Sequence, residues 1–180
     1  EIAGVANRTD YDLKRHTEFS KQELSVYEEA TKTTYVPYVI EPTLGIDRAF
    51  VTCLINHYEE IQGGRTTTTE SNKETEVVLH LPPALAPYKV AVLPLSKKEP
   101  LTALAQEIAK NLRKDFSCAY DEAASIGRRY RRHDEIGTPY CVTIDFDSLE
   151  DKQVTVRDRD TMKQERIGIQ ELQQYLGTKF

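Results

Sequence analysis

The chain has 180 residues, 39% of them hydrophobic and 29% charged, with a net charge of −5. That balance supports a packed core and argues against intrinsic disorder. No apolar run reaches the length of a membrane span, and no charged-then-apolar stretch of signal-peptide type opens the sequence. The charge is uneven: residues 1–83 carry −6 and residues 84–180 carry +1, so a phosphate-binding surface is expected in the second half. Cys53, Cys118 and Cys141 are odd in number and widely spaced, which fits reduced thiols and a cytoplasmic setting. No Cys-x-x-Cys or His-x-x-x-His spacing occurs, so no structural zinc is expected. With Met162 the only methionine, the sequence reads as a piece of a longer protein.

In chain order, a short helix is expected near Asp10–His16, capped by Thr9 or Asp10. The polar stretch Glu18–Thr34 reads as an exposed hairpin and Tyr35–Ile40 as a strand. Pro42 keeps Glu41 extended. Ile46, Phe50, Cys53, Leu54, His57 and Ile61 then recur at helical spacing. Gly63-Gly64-Arg65 and the Thr66–Thr69 run read as a polar, flexible loop. Val77–Leu81 is the next strand, and Pro82, Pro83 and Pro87 bracket a stiff linker that sets a domain boundary near residue 84. Beyond it, Tyr88–Leu95 is a continuous apolar strand and Leu101–Leu112 an amphipathic helix with Pro100 in its first turn. A strand near Ser117–Tyr120, a basic helix over Ser125–His133, strands at Pro139–Phe146 and Gln153–Arg157 and a last helix at Gln170–Tyr175 complete the pattern. Strands alternating with helices predict an α/β sandwich with a mixed sheet in the second half.

The most pointed motif is Glu41-Pro42-Thr43-Leu44-Gly45-Ile46-Asp47-Arg48. An extended segment crosses a glycine, where backbone or ligand can come close, and runs into a helix with an arginine in its first turn. A cation is unfavourable at that end of the helix dipole, so Arg48 is best explained by an anion it must meet. This stretch resembles motif 3 of class II aminoacyl-tRNA synthetases, and its flanking residues resemble the dimeric glycyl-tRNA synthetase family. Three further segments agree: Glu1 to Leu13, Val78 to Pro87, and Ser125 to Thr161 with its Gly-Arg-Arg-Tyr-Arg-Arg and Val-Arg-Asp-Arg-Asp-Thr-Met runs. The resemblance implies an α+β arrangement over 1–83, the end of an antiparallel-sheet catalytic domain, followed over 84–180 by an α/β anticodon-binding domain whose mixed sheet is flanked by helices.

It also implies roles. Gly45, Ile46, Asp47 and Arg48, with Glu1 and Ile2, fall where the family holds ATP. Glu1 could help carry Mg²⁺, which prefers oxygen ligands and bridges phosphates. Arg48 would grip phosphate and stack on adenine through its planar guanidinium. Glu41 resembles the carboxylate that receives the α-ammonium group of glycine, within a substrate segment of Glu41, Pro42, Thr43, Leu44 and Gly45. Thr43 stands where the family more often has Ser; its methyl would crowd the α-carbon and sharpen rejection of alanine, where a missing methylene otherwise discriminates by only about 1–3 kcal/mol. Asn7, Arg8 and Asp10 match family-typical residues near the same strand.

In the second half, Arg128 and Arg131 on the basic helix and Arg157 and Arg159 at strand spacing are the candidate anticodon readers, since Arg can hydrogen-bond unpaired bases. The bland alternative for the basic helix is a solvated surface neutralised by Asp134 and Glu135. Lys97, Lys98, His57 and His80 read as solvated or structural. The implied activity is a glycine–tRNA ligase, cytoplasmic and homodimeric in full, with ATP, glycine and tRNA-Gly as partners and no membrane. Without motifs 1 and 2, this chain alone is expected to be inactive. The rival readings are a non-catalytic nucleic-acid-binding accessory protein on the same folds and a sister class II synthetase.

Overall fold

A computed structural model describes residues 1–65 and 75–180. The expected Thr66–Thr69 loop therefore lies outside the described residues. The chain divides into two compact units, Glu1–Thr52 and Cys53–Phe180.

In the first unit, β1 (Ala3–Asn7) pairs antiparallel with β4 (Ile40–Leu44). The strand expected at Tyr35–Ile40 is displaced: Tyr35 ends β3, residues 36–39 are irregular, and the ladder begins at Ile40 and runs through Pro42. Proline is tolerated there for a geometric reason. The ladder is bounded by Gly45 N–H donating to Ile2 O and Arg8 N–H donating to Val39 O, both at 2.9 Å. Alternation between these bonds places the Val5–Pro42 pair at a position where no N–H is required. Helix α1 (Tyr11–Ser20) follows β1 and runs longer than expected, and Asp10 at its start makes no side-chain capping bond. Instead the Asp10 carboxylate pairs with Lys14 at 2.6 Å. The polar hairpin is β2 (Val26–Glu28) with β3 (Thr33–Tyr35).

Helix α2 (Ile46–His57) ends one residue before β5 (Tyr58–Gln62), so Ile61 belongs to a strand rather than to the helix. Helical spacing alone did not separate the two, because Tyr58-Glu-Glu-Ile-Gln gains its extended form from pairing with β6 (Thr75–Leu79). The division between units falls earlier than the proline-marked position near residue 84, because this hairpin packs with the C-terminal body.

The body itself is a five-stranded mixed sheet in the order β11-β10-β9-β7-β8. Its strands are β7 (Val90–Pro94), β8 (Cys118–Tyr120), β9 (Tyr140–Ile144), β10 (Gln153–Asp158) and β11 (Gln164–Gly168). β7 runs parallel to β8 and β9, while β10 is antiparallel to β9 and β11. All five residues of β7 are buried, as a strand covered on both faces requires. On one face, Val90, Val92, Val142, Ile144, Val154 and Val156 pack with Leu101, Ile108 and Leu112 of α3 (Leu101–Leu112) and Leu172 and Leu176 of α6 (Leu172–Gly177). Each such apolar side chain removed from water contributes about 1.5–3 kcal/mol. On the other face, Ala91, Leu93 and Cys141 meet Ile126 and Tyr130 of α4 (Ile126–Glu135). Pro100 sits at the N-cap of α3 rather than inside its first turn. Short helix α5 (Asp147–Asp151) and edge strand β11 carry no sequence signal of their own.

Candidate functional site

Glu41 and Thr43 share one face of β4, across from Ala6 and Gly4 of β1. Glycine at position 4 has a steric purpose: a Cβ there would lie 3.0 Å from Glu1 Oε1 and 3.4 Å from Thr43 Oγ1. The absent side chain lets the Glu1 carboxylate settle over the strand pair beside the Thr43 hydroxyl. Arg48, in the first turn of α2, donates from Nη1 to the main-chain oxygen of Glu1 at 2.8 Å. Gly45 hands the ladder to the helix, its N–H bonded to Ile2 O and its carbonyl accepting from Ala49 N–H at 2.9 Å. The Arg48 stem lies against Gly45, 3.4 Å from where a Cβ would stand. Asp47, beside Arg48, complements the positive end of the helix.

Glu41 lies 3.6 Å from Arg8 Nε, and Arg8 in turn grips Asp12 with two bonds of 2.6 and 2.8 Å. The hydrogen bond and charge of Asp12 hold the Arg8 guanidinium above its ordinary pKa, and the Asp12 carboxyl is correspondingly lowered. The structure thus links Arg48 to Glu1, sets Glu1 beside Thr43, and places Glu41 two residues along the same face. Pro42 and Leu44 project to the opposite face and do not join this row. Ile46 is exposed. Among the described residues no group of three or more His, Cys, Asp or Glu side chains gathers as a metal site. A cation at Glu1 would therefore need phosphate and water oxygens to complete its shell, which is how Mg²⁺ is ordinarily held.

The structure buries three of the four arginines expected to read the anticodon. Of Arg128, Arg131, Arg157 and Arg159, only Arg128 is exposed. Arg157 is buried and donates to both oxygens of Asp134 at 2.9 and 3.0 Å. Burial works against its charge, but the Asp134 carboxylate outweighs that and raises the guanidinium pKa. Arg159 is buried and donates to Gly137 O at 2.9 Å, Leu81 O at 3.0 Å and the Asp160 carboxylate. Arg131 is also buried, with its Nη2 lacking a partner. These three belong to the interior and are not free to meet a base. Nor is α4 a solvated helix: Arg129 donates to Pro94 O at 2.6 Å, and His133 Nδ1 lies 3.1 Å from Thr138 Oγ1. Asp134 is buried against Arg157 and Arg65 instead of neutralising a surface. His57 and His80 are structural: His57 Nδ1 is 2.7 Å from Cys53 O, and His80 is held between Glu59 and Asp160.

Sequence reasoning missed Arg65 and Glu76: Arg65 pairs with both Glu76 and Asp134 inside the fold. One signal was available. Glu76 alternates with Val78 along β6, and both face inward. It also missed a small cavity of about 100 Å³ whose lining includes Tyr140, Asp158, Lys163, Glu165, Tyr175 and Lys179. Tyr175 donates to Glu165 at 2.8 Å, and Lys179 Nζ stands 4.8 Å from the Tyr175 ring centre. Burial and the bond to Glu165 push the Tyr175 phenol up to about 12, so it remains a hydrogen-bond donor at neutral pH.

A mixed sheet with helices on both faces defines the class of α/β sandwich domain. Residues 89–179 match the family model described as anticodon binding domain, and the chain belongs to that family. Nearly its whole length is similar to glycine–tRNA ligases. It is 50% identical over 179 residues to that of Thermobifida fusca, covering 99% of this chain and 38% of the relative. It is 54% identical over 178 residues to that of Clostridium beijerinckii, covering 98% of this chain and 36% of the relative. The chain thus spans a little over a third of the length of these curated relatives. A crystal structure of the RNA-binding domain of threonyl-tRNA synthetase from Cryptosporidium parvum aligns with a TM-score of 0.60 at 22% identity. That match covers 87% of this chain and 35% of the other, and it is a likeness of fold.

Proposed function

We propose that this chain is the part of a glycine–tRNA ligase that completes the adenylate site and binds the anticodon of tRNA-Gly. The observation that carries the reading is the row of Glu1, Thr43 and Glu41 above Gly4 and Ala6, with Arg48 tied to Glu1. The similarity to glycine–tRNA ligases supports it because it extends across this unit as well as the anticodon-binding domain. In the complete enzyme Glu41 would receive the ammonium group of glycine, and the Arg48 guanidinium would leave the Glu1 carbonyl for an ATP phosphate. Glu1 would supply one oxygen to Mg²⁺. Thr43 would crowd out a substrate side chain. A non-catalytic accessory protein has no use for that row, which disfavours the principal rival.

Anticodon binding is assigned to the surface around Tyr140, Thr161, Lys163, Tyr175 and Lys179, with Arg128 as a phosphate contact. Lys163 and Lys179 enter no ion pair among the described residues, so they are free to meet phosphate, and an unpaired base would stack on Tyr175 by displacing Lys179 from its ring. The full enzyme is proposed to be cytoplasmic and homodimeric, and the chain alone to be unable to aminoacylate.

The test has two arms. In a complete ligase carrying this segment, Arg48→Lys should abolish most glycine-dependent ATP–pyrophosphate exchange, because an ammonium keeps the charge and loses the planar fork. Near-normal exchange would overturn the adenylate assignment. In the 180-residue chain, the double variant Lys163→Ala/Lys179→Ala should weaken binding to a tRNA-Gly anticodon stem-loop and reduce its salt dependence; unchanged affinity would relocate the RNA surface.

A further inference from the structure

The buried charges around Asp134 hold two parts of the body together, and their geometry assigns a task to Arg65. Its Nη2 donates to Asp134 Oδ2 at 2.6 Å and to Glu76 Oε1 at 3.2 Å, and its Nη1 donates to the main-chain oxygen of Arg159 at 2.6 Å. Its own N–H donates to Glu76 Oε2 at 2.7 Å. Arg157 shares Asp134 Oδ2 with Arg65, so two guanidiniums and two carboxylates form a charge-balanced chain contributed by β6, α4, β10 and the residue three positions beyond β5. Glu76 and Asp134 side chains are 2% and 1% exposed, so none of this cluster is a surface ion pair.

Around it the same seam is closed by polar contacts. Arg159 reaches Leu81 O, and His80 bridges Glu59 of β5 and Asp160. Gly137, with φ +82, lets the end of α4 approach so closely that a Cβ would lie 3.1 Å from both Leu79 O and Leu81 Cδ1. In β6 only Val78 is a fully buried hydrophobic residue, and β5 has none.

We propose that Arg65 is a positioning residue, the pin of an ionic clasp that fixes the β5–β6 hairpin onto the anticodon-binding domain. The hairpin begins directly after His57, and α2 from Cys53 onward already belongs to this body. The clasp therefore anchors the last turn of α2, which lies in the same unit. The inference stands on the seam geometry and is independent of the ligase reading.

Amide hydrogen exchange on the 180-residue chain tests it. Arg65→Ala should lower protection of Tyr58–Gln62 and Thr75–Leu79 by about a hundredfold while leaving β7 and β9 unchanged, because an orphaned buried carboxylate opens the hairpin locally. Arg65→Lys should restore only part of that protection, since one ammonium cannot span Glu76, Asp134 and the Arg159 carbonyl in a single plane. Glu76→Gln, which keeps the side-chain shape, should give the same selective loss at smaller amplitude, and it decides the matter if Arg65→Ala does not fold. A uniform loss across the sheet, an unchanged hairpin, or full rescue by lysine would overturn the proposal.

Discussion

The two units use opposite materials for opposite ends. None of residues 1–52 is buried, although Val5, Ile46 and Phe50 are apolar and stand 76%, 77% and 62% exposed. The body from Cys53 onward buries nearly every strand valine and, with them, Arg129, Arg157, Arg159, Asp134 and Glu76. An apolar residue becomes core only where a second layer closes over it, and the first unit, a two-stranded ladder with flanking helices, has no such layer within itself. A charged residue enters a core only where a countercharge and hydrogen bonds meet it, and the second unit supplies both.

The largest effect should come from the held charges. Asp134→Ala removes the carboxylate shared by Arg157 and Arg65 and leaves the buried Arg157 guanidinium without its countercharge, while Arg65 keeps Glu76. A destabilisation of about 3–5 kcal/mol is expected in urea denaturation followed through the second unit. A change below the range of ordinary surface substitutions would show that the cluster is not buried in solution, and the contrast between units would fail.

A second effect depends on pH. Burial pushes His133 from the ordinary 6.5 down to about 4, so the folded state prefers the neutral ring. As pH falls through 6.5 the unfolded chain binds a proton that the folded chain refuses. Stability is thus intact above that value and is lost progressively towards pH 4, by about 3 kcal/mol over the whole window. Unfolding free energies measured between pH 7 and 4 should show this slope, and His133→Gln should flatten it. If the variant keeps the full slope, other groups are responsible.

How much of this was legible in advance follows the same division. The continuous apolar run expected at Tyr88–Leu95 contains the strand Val90–Pro94, because burial on both faces demands apolar residues throughout, and the one-faced apolar spacing of Leu101–Leu112 gives its helix. Glu41, Thr43 and Arg48 were legible as a motif, since a strand-glycine-helix junction leaves a chemical signature. The buried arginines were not. Gly-Arg-Arg-Tyr-Arg-Arg looks the same whether its partners are phosphates or a carboxylate from another strand, and the deciding residue, Asp134, pairs with Arg157 across 23 positions. β11 and β5 were hidden for a related reason: an edge strand of polar residues takes its form from the neighbour it pairs with.

The smallest expected effect concerns the first unit. Phe50→Ala removes a large side chain that is mostly in water, so in the 180-residue chain it should change stability by no more than about 0.5 kcal/mol. The curated relatives are more than twice as long as this chain, which leaves room for structure that covers such a face. At the equivalent position of a complete ligase the same substitution should then cost about 3–5 kcal/mol, the range for a buried Phe. Paired denaturation measurements on the two proteins give that difference directly. A large cost in the short chain would mean Phe50 already has a core of its own. A small cost in both would mean that nothing in the complete enzyme closes over this face of α2.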